Sequence, residues 1–430
     1  MGNMKALQER LNYDKTFDCV QCGYCLPACP TYETMGKEAH SPRGRINLVK
    51  MLGEDKITIE EMREPIEKCL GCRACVTVCP TNVEYGKILE GAKEVLEENE
   101  QKSRKKKITE NLIFKTIFPS KKWMDGVGDL SWLYRKTGLQ GIAQKAGITK
   151  CMPLHLDQFE AVLPRLASPA ERRQTKKEYR KLSQSGKVKV GFVYGCVMDS
   201  VFHQTNRNTL KLLKKAGADV VVPDAQTCCG ALHAHAGKKA DAIELAKRNI
   251  EAFEEEDVEY IVNNAGGCGA MLVEYHHLFE GDSEWEERAK RFVAKTRDIS
   301  QVLVELDGLS FNRKVDATVT YQASCHLTHV QRVTDEPLQL LKQISDIHYH
   351  EMNGYERCCG SAGIYNIVHY DDAMDILDVK MKKAKETEAA IIVTTNPGCL
   401  LQMKLGIQRE GLEGKVRAVH LIDLLAEAVG

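Results

Sequence analysis

The chain has 430 residues, of which 43% are hydrophobic and 28% charged, with 60 Lys and Arg against 60 Asp and Glu. That length exceeds one ordinary core and predicts two or three domains, while a net charge of zero gives no basis for nucleic-acid binding. Residues 1–13 are polar and no stretch reaches 18 consecutive apolar residues, so neither an export signal nor a membrane span is expected, and the expected location is cytoplasmic. Seventeen cysteines are too many for an ordinary chain of a reducing compartment, where clustered thiols point to metal or redox chemistry rather than to disulfides.

Their spacing decides between these. Cys19, Cys22, Cys25 and Cys29, followed by Pro30, form one C-x2-C-x2-C-x3-C-P run, and Cys69, Cys72, Cys75 and Cys79, followed by Pro80, form a second. Three cysteines at this interval let one loop wrap three corners of an Fe4S4 cube, while the fourth ligates the other cluster in two-cluster ferredoxins. The spacing therefore predicts two [4Fe–4S] clusters, one held by Cys19, Cys22, Cys25 and Cys79, the other by Cys69, Cys72, Cys75 and Cys29. Zinc also takes C-x2-C pairs but has no use for a third cysteine at the same interval.

Between the runs, Ser41-Pro42 reads as the cap and first turn of a helix through Ile46, Val49 and Leu52, and a second helix is expected over 58–68. Residues 1–100 are thus expected to be an all-α, ferredoxin-like two-cluster domain. Arg43 and Arg45 follow the cap, either as solvated side chains or as charges favouring a reduced cluster.

Residues 101–186 read as a mainly helical bridging segment. The basic run 101–107 suggests a solvated linker, and Ile108, Leu112, Ile113, Ile117 and Phe118 give the following stretch an apolar side. Core packing is the expectation for that side, with a partner subunit or the inner face of the cell membrane as the alternative. A polar, lysine-rich stretch over 168–186 marks a boundary, and Cys151 has no assigned role.

From residue 188 strands and helices alternate, predicting an α/β sheet that is largely parallel. Strands are expected over 188–194, 219–222 and 260–263, and helices over 203–216 and 238–255. The order then recurs with strands over 317–322 and 390–395 and a helix over 371–388. Cys196, Cys228, Cys229 and Cys268 return 129, 130, 130 and 131 positions later as Cys325, Cys358, Cys359 and Cys399. This is an internal duplication, 187–310 and 311–430. Each copy brings four thiols to the carboxyl ends of its strands, where open α/β sheets gather ligands. They are candidate ligands for a further iron–sulfur cluster or for one zinc per repeat, with His233, His235, His326 and His329 nearby.

Two ferredoxin runs followed by two Cys…Cys-Cys-Gly…Cys repeats resemble the iron–sulfur subunits of bacterial glycolate oxidase (glycolate dehydrogenase). The resemblance rests on Ser41-Pro-Arg-Gly-Arg45, Cys69-Leu-Gly-Cys-Arg-Ala-Cys75, Asn264-Ala-Gly-Gly-Cys-Gly-Ala270 and Cys358-Cys-Gly-Ser-Ala-Gly363. The repeats are similar to the cysteine-rich "CCG" domains of heterodisulfide reductase and anaerobic glycerol-3-phosphate dehydrogenase. In heterodisulfide reductase the last repeat element carries an additional cysteine; here Ala265 and Asn396 stand in its place, which argues against disulfide-reductase chemistry. The resemblance implies electron transfer from FAD on partner flavoprotein subunits, which oxidise a 2-hydroxy acid such as glycolate, to a quinone or another acceptor. Lactate or glycerol-3-phosphate complexes are the related alternative. The chain shows no G-x-G-x-x-G dinucleotide motif of its own.

Overall fold

The computed structural model describes residues 2–147, 149, 155–179 and 188–430; Cys151 and positions 180–186 of the expected boundary lie outside the described residues. Local capping chemistry sets the first helices. Ser41 caps Pro42–Gly53, its Oγ accepting the Gly44 N–H at 3.0 Å, and Pro42 starts the turn where an N–H is not needed. Thr58 and Glu61 close a reciprocal capping box on Ile59–Glu67. With Gly2–Arg10 and Tyr85–Glu98, these helices bury Leu11, Val49, Met62, Ile66, Ile88 and Val95.

The bridging segment is also helical, through Arg104–Glu110, Lys121–Lys136, Leu139–Lys145, Leu156–Val162 and Pro169–Tyr179. Two expectations change here. Lys102, in the basic run, is not solvated: it donates to Glu97 and to Glu110 at 2.7 Å, and Lys238 reaches the same two carboxylates at 2.5 and 2.9 Å. Phe114, rather than Ile108 or Leu112, is the buried residue, its ring 5.2 Å from that of His233. The reason is a π-helical stretch over Asn111–Ile117, with Phe118 N–H on the Ile113 carbonyl at 3.0 Å. The wider turn rotates the apolar stripe away from a 3.6-residue reading. Ile108 and Leu112 stay exposed and, with Trp123, Val127 and Leu130, leave apolar side chains on this segment's surface.

The remaining chain forms two four-stranded sheets. The first holds β1 (Val188–Phe192), β2 (Ala218–Val221), β3 (Tyr260–Asn263) and β4 (Thr296–Asp298) in the order β2-β1-β3-β4. The second holds β5 (Ala317–Gln322), β6 (Ile347–Tyr349), β7 (Ile391–Thr394) and β8 (Arg417–His420) in the order β6-β5-β7-β8. Every pairing is parallel. Strands β4, β6 and β8 were not foreseen in the sequence. Chains leaving β1 and β3 turn to opposite sides, which opens a crevice at their carboxyl ends, and β5 and β7 repeat this geometry. The two sheets share one core, in which Val190, Phe192 and Val262 join Val319, Tyr321 and Val393. Thr205 and Asn208 of the first repeat each donate to Asp423 of the second at 2.9 Å.

Candidate functional site

Each ferredoxin run curls by the same device. The second and fourth positions after the first cysteine are left-handed in both loops: Gln21 and Gly23 (φ 57° and 88°), then Gly71 and Arg73 (both 63°). This conformation costs a non-glycine residue about 1–2 kcal/mol, and it turns successive thiols toward one side of the loop. Cys19, Cys22, Cys25 and Cys79 line one small cavity, which Cys75 also borders, together with Ile46, Val83 and Tyr85. Cys29 instead stands with Cys75 and Cys72. Cys79 thus lies with the first run's three thiols, while Cys29 lies near Cys72 and Cys75 of the second run as well as near Cys25 of its own.

Burial differs between the groups. Cys22 is exposed, whereas Cys29, Cys69 and Cys75 are buried. Burial first, then the nearness of Cys69, Cys29 and Cys25, pushes the Cys75 thiol well up. Burial is the largest influence on Cys69 and opposes its ionisation, but the Arg45 and Lys93 charges, with hydrogen bonds from Tyr85 and the Gly71 N–H, together outweigh it and hold this thiol below its ordinary range. Arg45 is 1% exposed and donates to the carbonyls of Pro65 (2.7 Å) and Lys68 (3.2 Å) and to Thr31 Oγ1 (3.1 Å), with Cys29 Sγ at 3.9 Å. Its acceptors are all neutral. A buried cation without a carboxylate is costly, so a group of thiolates carrying an anionic iron–sulfur cluster fits the charge this pocket lacks. Arg43 behaves differently, remaining near the surface in an ion pair with Glu38 at 2.7 Å.

In the repeats, the crevices put four thiols in a line. Cys196 Sγ lies 3.5 Å from Cys228 Sγ, and contacts continue from Cys228 to Cys229 and from Cys229 to Cys268. The same order holds for Cys325, Cys358, Cys359 and Cys399. All eight line one cavity of about 220 Å³ between the repeats, which the sequence did not reveal. Among the described residues no three His, Cys, Asp or Glu side chains gather at single-ion spacing.

The junction requires small residues: a Cβ on Gly266 would collide with the Ser324 hydroxyl. Gly266 N–H bonds the Thr395 carbonyl (3.1 Å) and Gly267 N–H bonds Asn396 Oδ1 (3.0 Å). Asn396 Nδ2 lies 3.6 Å from Cys399 Sγ, so this residue links one repeat's loop to the other's thiol.

The nearby histidines serve the protein frame. His326 meets the Gly71 carbonyl at 3.1 Å, His233 the Phe114 carbonyl at 2.8 Å, and His329 the Thr77 hydroxyl at 2.9 Å and the Glu356 carbonyl at 3.2 Å. His235 stacks on His326. Through Gly71 and Thr77 the second cysteine loop docks on the second repeat. Leu70 and Cys72 pack in the same core as Cys325 and Cys358, and Cys72 is close enough to Cys325 for their charges to interact.

Known proteins match this organisation along the chain. The 4Fe-4S dicluster domain family matches residues 15–83, the linker region of the glycolate oxidase iron-sulfur subunit matches 105–163, and the cysteine-rich domain matches 190–273 and 319–404. The Probable glycolate oxidase iron-sulfur subunit of Bacillus subtilis is 48% identical over 437 residues, covering 99% of this chain and 98% of that protein. This chain belongs to the glycolate oxidase iron–sulfur subunit family. The family's Escherichia coli protein, Glycolate oxidase iron-sulfur subunit, is 26% identical and aligns over 96% of this chain and 93% of its own length. Lactate utilization protein A of Oceanobacillus iheyensis is 35% identical over 239 residues, 55% of this chain and 96% of that protein. The resemblance drawn from the cysteine runs is thus borne out over the full length. No described helix is long and apolar enough to cross a membrane.

Proposed function

We propose that this chain is the iron–sulfur electron-transfer subunit of a flavin-dependent glycolate oxidase, relaying electrons from FAD on a partner flavoprotein toward a quinone or another acceptor. One [4Fe–4S] cluster would be held by Cys19, Cys22, Cys25 and Cys79, and a second by Cys69, Cys72, Cys75 and Cys29. The four-thiol lines of the repeats would hold further iron–sulfur centres. Clusters so bound supply one-electron carriers tunable over roughly −700 to +450 mV. The chain's own residues set their surroundings: Arg45 provides charge, the two left-handed loops orient thiols, and the second cysteine loop meets the second repeat. The observation that carries this reading is the unbroken succession of thiol groups from exposed Cys22 through half-buried Cys72 to buried Cys325.

The partition proposed is 1–100 for the cluster domain, 101–186 for the bridge, and 187–310 and 311–430 for the repeats. Exposed Trp123, Val127 and Leu130 support docking of the flavoprotein on the bridge. The exposed cations at 104–107 support a second use of that face, contact with an anionic membrane surface. A cavity of about 300 Å³ borders Cys69, with Tyr365, His369 and Leu96 in its wall, and supports access of a small acceptor to this end of the relay.

Iron, acid-labile sulfide and zinc per chain, measured on anaerobically purified protein, test the assignment. About eight irons would limit the relay to the N-terminal clusters, and zinc beside them would make the repeats structural. More iron with matching sulfide supports centres in the repeats. The lactate-utilization relatives favour a second reading, in which the partner oxidises lactate. Reduction of the complex by lactate but not by glycolate would replace the first reading with the second.

A further inference from the structure

The duplication allows the two thiol lines to be compared position by position, and one buried residue breaks the match. Gly230 packs on Ala242 as Gly360 packs on Ala373, which aligns helix Lys239–Glu254 with Tyr370–Lys385. Counting on from these alanines, Asn249 of the first repeat corresponds to Lys380 of the second. Asn249 is a neutral brace, with Nδ2 donating to the Cys228 carbonyl and to Tyr275 Oη, both at 3.0 Å, and Oδ1 accepting the Thr227 N–H at 2.8 Å.

Lys380 is an ammonium in the same place. It is 3% exposed and its hydrogen bond goes to the neutral carbonyl of Gly354 at 2.7 Å. Burial opposes its charge, and the groups that most favour it are Cys359 and Cys358, which lie within electrostatic reach. A buried cation lacking an ion-paired carboxylate is retained at small cost only where another anion compensates it. Thiolates bound in a cluster are that anion, and the first repeat has no cation at the matching position.

We propose that Lys380 is the charge partner of a centre held by Cys325, Cys358, Cys359 and Cys399, making the two repeats electrostatically unequal. The second repeat's centre is then the easier to reduce. It is also the one whose thiols lie near Cys72, so N-terminal clusters, when bound, would face the second repeat's centre rather than the first's. The assignment rests on the reading of the repeats as iron–sulfur sites.

The test is an anaerobic, spectroscopically monitored redox titration of the full chain with wild-type Lys380, Lys380→Met and Lys380→Arg, alongside iron and sulfide counts. The expected result is one couple whose reduction equilibrium constant falls at least tenfold in Lys380→Met, equal to 59 mV for one electron. The N-terminal couples stay in place and Lys380→Arg restores most of the shift. Loss of that centre's iron in Lys380→Met but not in Lys380→Arg also supports the charge role. Full iron content with every potential unmoved overturns Lys380 while leaving the relay intact. Wild-type protein without iron in the repeats overturns both readings.

Discussion

Replacing Arg45 by methionine separates a counter-charge from a structural bolt. In the iron-free chain the substitution strands the carbonyls of Pro65 and Lys68, at about 1–3 kcal/mol each. It also removes a buried guanidinium whose desolvation costs several kcal/mol. These terms nearly cancel, so thermal stability of the iron-free protein should change by less than about 2 kcal/mol. With an anionic cluster bound at Cys29 and Cys69, the balance changes. A unit charge about 4 Å away contributes up to ~4 kcal/mol at an effective dielectric constant near 20. Delocalisation over the cluster lowers that bound of roughly 170 mV for a one-electron couple to an expected fall of about 60 mV or more. Chemical unfolding of chelator-treated protein, with a redox titration of loaded protein, measures both halves. Equal destabilisation of the two forms, with a potential change below about 20 mV, would refute the counter-charge reasoning.

Four further outcomes follow from the geometry. Cys79→Ser and Cys22→Ser should abolish the same paramagnetic signal and Cys29→Ser the other; loss of one common signal by Cys22→Ser and Cys29→Ser would undo the crossed assignment. Gly266→Ala should lower stability by about 1–3 kcal/mol through collision with Ser324, with Ser324→Gly in the same chain recovering part of it in thermal melts. Burial raises the Asp298 carboxyl to about 6 from its ordinary 3.8, against the pull of its bonds from Ser300. The folded state then binds the proton more tightly, so this contribution is present below the unfolded pKa and lost as pH rises from about 4 through 6. Asp298 also caps the helix Ile299–Leu306, so Asp298→Asn keeps a competent cap and should stabilise by up to ~3 kcal/mol at pH 8, with a smaller gain at pH 5; equal gains at both pH values would contradict this. Asn396→Ala should loosen the inter-repeat junction by about 1 kcal/mol, and an unchanged melting temperature would show that its bond to Gly267 contributes nothing.

The local patterns read well because their causes are local. The cap at Ser41, the paired cysteine loops and strands rich in Val and Ile, such as β3 and β7, follow from residues a few positions apart. The missed strands are short and carry little signal: β4 is Thr-Arg-Asp, running directly from Lys295 with no Gly or Pro to mark its start, and β6 is Ile-His-Tyr. Phe114 was missed because periodicity assumes an α-helical turn. Lys102 looked solvated because one of its counter-ions, Glu110, and the lysine that shares both carboxylates, Lys238, come from other elements. For the site, the repeat spacing placed four thiols at each sheet edge, but not the two edges across one cavity. Lys380 did leave a signal, since aligning the two copies sets it against Asn249; only burial gives that mismatch a meaning.

Exposure is uneven among the N-terminal thiols, with Cys22 open to solvent while Cys29, Cys69 and Cys75 are enclosed. Attack by oxygen or peroxide on sulfur follows access, so damage in air should be staged, beginning at the Cys22 end and sparing the inner group. A preparation handled aerobically would become a mixed population of partly stripped molecules. Its surviving colour would then overstate its competence, because the lost group is the outermost one.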